Sequence, residues 1–316
     1  MSSSVSARSL RKQFGEARAL DEVSFDVEAG ELFGFIGPDG GGKTTLFRIL
    51  VTLMTPDSGQ AHVLGLDVVR ELWALRRRIG YMPGRFSLYP DLSVEENLRF
   101  FASVFGTTPE REHAHIAPIY EQIAPFKDRR AAALSGGMKQ KLALCCALVH
   151  RPEILFLDEP TTGIDAVSRR ELWDLLGQLR EQGMTVVVST PYMDEANRCD
   201  RVALMQGGRV IALDTPAAVA ASLDRPLFAV RAGARHAALN ALRSFPYAHS
   251  VLPFGDVHHV TDTRRNLPPG VIASELRRYL AEAGFADAEV TAVEPTVEDV
   301  FIERMGAVAP AVRHHD

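Results

Sequence analysis

The chain has 316 residues, 46 % of them apolar, with a formal net charge of −5. This length suits one large domain followed by a smaller one, and the mild acidity gives no reason to expect a nucleic-acid partner. Three cysteines without framework spacing argue against a disulfide-stapled secreted fold. No stretch approaches the roughly 20 apolar residues of a membrane span, and Met1-Ser-Ser-Ser-Val-Ser lacks the apolar core of a signal peptide, so a cytosolic protein is expected.

Leu20 to Glu28 alternates apolar and polar residues and predicts a strand closed by the turn Ala29-Gly30. Leu32 to Ile36 is a short apolar run, as in a strand buried on both faces. It leads into a glycine-rich loop, Gly37 to Gly42, and then a helix from Lys43 to Leu53. Residues 86–151 are mainly helical and predict a helical subdomain inserted into the core. Within it, Thr108-Pro109-Glu110 supplies an N-cap, a first-turn proline and a first-turn acid. Arg76 to Arg78 and Arg129-Arg130 are short basic clusters that read as solvated helix faces. Cys145 and Cys146 lie in the apolar run Leu142 to Val149, as small core residues.

Two further buried strands are expected at Ile154 to Leu157 and Thr185 to Val188, with a helix from Val167 to Gln182 between them. Strands alternating with helices predict an α/β fold with a largely parallel sheet, ending near Leu223. After the linker Asp224-Arg225-Pro226 come a strand (Leu227 to Arg231), a helix (His236 to Ser244), two strands between Ala248 and Thr263, a helix (Val271 to Ala283) and a strand (Ala288 to Val293). That order predicts a small, ferredoxin-like α+β domain over residues 224–308, followed by a frayed tail, 309–316.

Three motifs carry chemistry. Gly37-Pro38-Asp39-Gly40-Gly41-Gly42-Lys43-Thr44, with Thr45 following, fits a phosphate-binding loop. Glycines let backbone N–H groups wrap phosphate oxygens, and the following helix points its positive end at the anion. Lys43 then reaches the β and γ phosphates of a nucleotide, and the Thr44 hydroxyl ligates Mg²⁺. In Ile154-Leu-Phe-Leu-Asp158-Glu159 the apolar residues bury the strand while its end presents two carboxylates. Asp158 is placed to hold the Mg²⁺ shell and Glu159 to polarise an attacking water. Leu134-Ser135-Gly136-Gly137 opens the helical run to Val149 with a natural N-cap and two glycines, a second anion-binding helix end. Taken alone, that last motif reads as an ordinary capped helix start.

In this order the three motifs resemble the nucleotide-binding domain of ABC ATPases, over about Ser9 to Leu223. The resemblance implies a P-loop ATPase core that binds ATP with Mg²⁺ and pairs with a second such domain, identical or homologous. Ser135 and Gly137 would then contact the γ-phosphate of an ATP held by the partner. Thr162-Gly163-Ile164-Asp165 matches the loop that crosses the dimer, with Asp165 at its acidic position. Phe14 falls where an aromatic stacks on adenine, with a plain core role as the rival reading. The runs 134–149 and 158–168, and the closing Pro295-Thr-Val-Glu-Asp-Val-Phe301, resemble drug-export ATPases of the daunorubicin-resistance type. That resemblance implies a peripheral subunit on the inner face of the cell membrane, coupled to a separate integral permease through a groove around Arg85, Phe86 and Tyr89.

Two positions depart from the family. Gly84 stands where a glutamine is expected in the loop facing the permease, and Pro191 where the switch loop carries a histidine. Proline donates no backbone hydrogen bond and has no polar side chain, and losing one positioned donor typically costs about 10²–10³ in rate. The alternative reading is therefore a regulatory subunit that binds ATP but hydrolyses it slowly beside a complete partner. A DNA-repair or ribosome-acting ATPase would need a coiled-coil insertion or tandem ATPase halves, and the sequence has neither.

Overall fold

The computed structural model describes residues 3–84 and 88–308. The chain divides into two compact units, Met1–Pro216 and Ala217–Asp316, the division falling ahead of the Leu223 boundary read from the sequence.

The first unit opens with two long antiparallel strands, β1 (Ser3–Phe14) and β2 (Ala17–Glu28). β3 (Leu32–Ile36) is buried throughout and ends at the glycine loop, from which α1 (Lys43–Leu50) rises. Next come β4 (Ser58–Val63), β5 (Leu66–Asp67), α2 (Leu72–Arg76) and β6 (Ile79–Met82). The helical insertion holds α3 (Val94–Val104), α4 (Pro109–Tyr120) and α5 (Gly136–Leu148). The core resumes with β7 (Ile154–Asp158), α6 (Ala166–Glu181), β8 (Thr185–Thr190), β9 (Arg201–Gln206) and β10 (Arg209–Asp214).

Two sheets result. One is antiparallel, in the order β2-β1-β4-β5. The other runs β10-β9-β3-β8-β7-β6 and is parallel from β9 to β6, with β10 as an antiparallel edge. A row of phenylalanines fills the space between them. Phe25 packs edge-on to Phe35 at 4.8 Å, and Phe47 of α1 packs edge-on to both Phe35 and Phe156 at 5.9 Å. Each such ring contributes roughly 1.5–3 kcal/mol through burial alone. The row seats α1 against β3 and β7, which brings the lysine at its start to the ends of both strands.

α1 stops at Leu50 rather than Leu53. Thr52 turns left-handed, at φ 66°, and the N–H groups of Leu53 and Met54 close back on the carbonyl of Arg48. The insertion is capped as its sequence implies. Ser93 and Glu96 form a reciprocal capping box on α3, and the Thr108 side chain accepts from Arg111 N–H ahead of Pro109.

α7 (Pro216–Ala221) spans the division. The second unit then contains β11 (Leu227–Arg231), α8 (Arg235–Arg243), β12 (Ala248–Phe254), β13 (Val257–Asp262), α9 (Pro269–Glu282), β14 (Glu289–Ala292) and α10 (Val297–Val308). Its sheet is antiparallel, in the order β12-β13-β11-β14. The stretch from Pro295 leads into α10, a helix beyond the elements expected from the sequence, which buries Val297, Val300 and Phe301. Buried Asp299 accepts from the N–H and hydroxyl of Thr296 at 2.8 and 2.7 Å and lies 2.6 Å from Nδ1 of His259, which pins α10 to β13. The tail 309–316 lies outside the described residues.

Candidate functional site

The glycine loop is shaped by close backbone approach. A Cβ on Gly37 would fall 2.1 Å from the carbonyl oxygen of Met205, and one on Gly42 would fall 2.4 Å from that of Ala19. Gly42 also has φ 98°, a left-handed conformation that an L side chain resists. Pro38, Asp39 and Gly40 form the exposed tip, Gly41 is buried beneath it, and Thr44 and Thr45 are half-buried in the first helical turn. That turn leaves its N–H groups without intrahelical carbonyl partners. Lys43 is only 3 % exposed, and its Nζ donates to the carbonyls of Gly37 at 2.7 Å and Pro38 at 3.0 Å.

The end of β7 brings its two carboxylates to this loop. Lys43 Nζ stands 3.2 Å from Oε1 of Glu159, and the Thr44 hydroxyl donates to Oδ1 of Asp158 at 3.2 Å. Glu159 adopts φ 52°, a left-handed backbone that typically costs about 1–3 kcal/mol in a non-glycine residue. Its N–H donates to both the carbonyl and the hydroxyl of Ser189, each at 3.0 Å. Tyr81, on β6 beside Asp158, has its phenol pushed up to about 12 by burial and by that carboxylate. Lys43, Thr44, Asp158 and Glu159 are thus brought together as the sequence implies.

Gly84 also lies here. A Cβ at that position would sit 3.0 Å from the Asp158 carbonyl oxygen and 3.7 Å from Cβ of Glu159. Pro191 follows Thr190, whose carbonyl accepts from Gly37 N–H at 3.2 Å. Both departures therefore border the acidic pair and the loop.

The Leu134-Ser-Gly-Gly motif faces other neighbours. Ser135 caps α5, accepting from Met138 N–H at 3.3 Å. A Cβ on Gly137 would fall 2.3 Å from the Ser168 hydroxyl, and one on Gly136 would fall 3.2 Å from Ile164. Within the chain these glycines let α5 pack on the start of α6. Asp165 caps α6, accepting from the N–H groups of Val167 and Ser168 at 3.0 Å and from the Ser168 hydroxyl at 2.7 Å. The bonds from Ser168 hold its carboxyl below the usual range. Phe14 ends β1 and is 49 % exposed, which rules out the core reading and leaves its ring open to solvent, with Lys12 Nζ 5.7 Å from its centre.

Sequence reasoning missed a set of residues below the switch loop. Glu195, 3 % exposed, accepts through one oxygen from the hydroxyls of Thr161 and Thr190, while Arg169 of α6 lies 3.5 Å from its other oxygen. The Arg169 guanidinium also sits 4.0 Å above the ring of Tyr192. The dipeptide Asp194-Glu195 was visible, but nothing local showed which acid turns inward.

The family described as ABC transporter matches residues 20–162. The daunorubicin resistance ATP-binding protein DrrA3 of Streptomyces coeruleorubidus is 35 % identical over 306 residues, covering 93 % of each chain. The chain belongs to the ABC transporter ATP-binding family. The probable multidrug ABC transporter ATP-binding protein YbhF of Escherichia coli (strain K12) is 44 % identical over 214 residues, 67 % of this chain. That match spans only 37 % of the YbhF length. Among solved structures, a dimeric ATP-binding cassette in a post-hydrolysis state, bound to ADP and inorganic phosphate, superposes with a TM-score of 0.61. Its identity is 27 %, over 67 % of this chain and 98 % of that one.

ATP with Mg²⁺ is the cofactor of such an ABC cassette, and the residues fit it. The loop is a cradle that side chains would fill, and it holds one buried ammonium. The hydroxyl and carboxylate of Thr44 and Asp158 are the hard oxygen donors Mg²⁺ prefers. Among the described residues no helix is long and apolar enough to cross a membrane.

Proposed function

We propose that this ABC protein is the ATP-hydrolysing subunit of an exporter, paired with a second ABC ATPase domain and coupled to a separate integral membrane permease on the inner face of the membrane. The observation that carries the ATPase assignment is the convergence of Lys43, Thr44, Asp158 and Glu159 on one glycine cradle. The match to a daunorubicin resistance protein along 93 % of both chains supports export as the use of that chemistry.

Bound Mg²⁺ supplies Lewis-acid neutralisation of phosphate charge. The chain's own part begins at Lys43. Turned toward phosphate, it leaves Glu159, whose carboxylate is then released from its ion pair and takes the proton of the attacking water. Gly37 to Thr45 bind the phosphates, Thr44 and Asp158 hold the metal, and the exposed ring of Phe14 stacks on adenine. Ser135, Gly136, Gly137 and Asp165 complete the site of the partner domain, and the dimeric state of the ADP-bound relative supports that arrangement. ATP binding closes the pair, and hydrolysis reopens it.

The groove bounded by Val51, Leu53, Tyr81, Phe101, Val104 and Phe105, about 390 Å³ in volume, receives a helix of the permease. Of the residues first expected to frame that contact, Tyr89 is 46 % exposed against Phe100 at 4.7 Å, whereas Arg85 and Phe86 lie outside the described residues. The regulatory reading raised by Gly84 and Pro191 draws no support from the relatives.

The decisive experiment compares ATP hydrolysis by the purified chain and its Glu159→Gln variant, once both are seen to bind ATP. We expect the substitution to abolish hydrolysis and spare binding. Equal activity in the two proteins would remove Glu159 from the mechanism.

A further inference from the structure

We propose that Ser189 is a positioning residue for the Mg²⁺-holding carboxylate of Asp158. The inference rests on the nucleotide reading above and deepens it. Ser189 stands across from Asp158 in the parallel register of β7 and β8, so both side chains fall on the same face of the sheet. It is fully buried, and Asp158 is 2 % exposed. Its hydroxyl donates to Oδ1 of Asp158 at 2.6 Å, and the same oxygen accepts from Glu159 N–H at 3.0 Å.

One side chain therefore touches both members of the acidic pair. It fixes the plane of the first carboxylate and anchors the left-handed backbone of the second. The Thr44 hydroxyl also donates to Oδ1, at 3.2 Å. Among the described residues, both hydroxyl bonds to the Asp158 carboxylate fall on that one oxygen, which leaves Oδ2 without a protein donor. Two acceptor bonds on Oδ1 set the carboxylate plane before any metal arrives, so less orientational freedom is lost on binding.

Gly84 lies against the Asp158 backbone carbonyl and adds no side-chain donor to the Asp158 carboxylate, so the two hydroxyls carry its orientation. Removing a partner that orients a ligand typically costs about 10–100-fold in metal affinity.

The test is equilibrium binding of a fluorescent ATP analogue by the full chain, first in EDTA and then across a Mg²⁺ titration. Ser189→Ala is compared with wild type and with Thr185→Val, which removes a buried hydroxyl at the other end of the same strand that accepts from Gly30 N–H. We expect Ser189→Ala to raise the Mg²⁺ concentration for half-saturation about tenfold, with metal-free affinity unchanged, and Thr185→Val to leave the Mg²⁺ curve in place. A Ser189→Ala curve that overlays wild type would overturn the proposal, as would equal losses in EDTA and in Mg²⁺. Failure of the wild-type chain to bind nucleotide under either condition would instead overturn the nucleotide reading on which it stands.

Discussion

Pro191 follows directly on β8, next to a residue whose carbonyl accepts from Gly37 N–H. A ring without a polar atom there means that no side chain at this position can donate to a phosphate. Histidine at the same place would supply a donor. Pro191→His is therefore expected to raise ATP turnover, by up to about 10²-fold, with little change in ATP affinity; an assembled complex assayed at saturating ATP reads this directly, and unchanged turnover would show that position 191 lies off the reaction path. At this scale the sequence was most legible where spacing alone defines a role. Lys43, Thr44, Asp158 and Glu159 stand together because a loop of fixed length follows one buried strand and an acidic pair ends another. Ser189 was not legible. It belongs to a run of β-branched residues and looks like the close of a buried strand, and only its register opposite Asp158 gives it a task.

Among elements, the loops at the ends of β7 and β8 are fastened to each other. Glu195, in the segment after β8, collects the Thr161 hydroxyl from the loop after β7 and the Thr190 hydroxyl from the end of β8, with Arg169 of α6 alongside. Cutting a buried carboxylate out of such a network typically leaves unmet donors at a cost of about 1–3 kcal/mol each. Glu195→Ala should accordingly lower turnover by more than it lowers ATP affinity, because the loops on either side of the acidic pair lose their common anchor while the glycine cradle is untouched. A nucleotide Kd that rises by the same factor as kcat falls would argue against this division. The buried strands β3, β7 and β8 and the helices α4 and α6 were readable from periodicity and capping. The separate antiparallel sheet was not, since β4 is short and polar at its start and β5 is two residues long, so their pairing with β1 depends on contacts far apart in sequence.

For the whole molecule, the second unit shows how far element order goes by itself. Strand, helix, two strands, helix and strand follow the expected succession, and α10 adds a helix beyond it, which buries Val297, Val300 and Phe301 and is tied to the sheet by the buried pair His259 and Asp299. In the first unit the groove near Val104, which is 63 % exposed, is the surface proposed above to receive the permease. Val104→Asp should weaken co-purification with that membrane subunit while ATP binding by the isolated chain stays intact; retention of the complex would move the contact elsewhere. The left-handed backbone at Glu159 sets a limit of another kind. Glycine there would relieve the strain, and asparagine would tolerate it better, but either exchange discards the carboxylate. Selection for a sturdier fold and selection for turnover thus pull in opposite directions at residue 159, and a lineage that gained thermal robustness at this position would do so by surrendering catalysis.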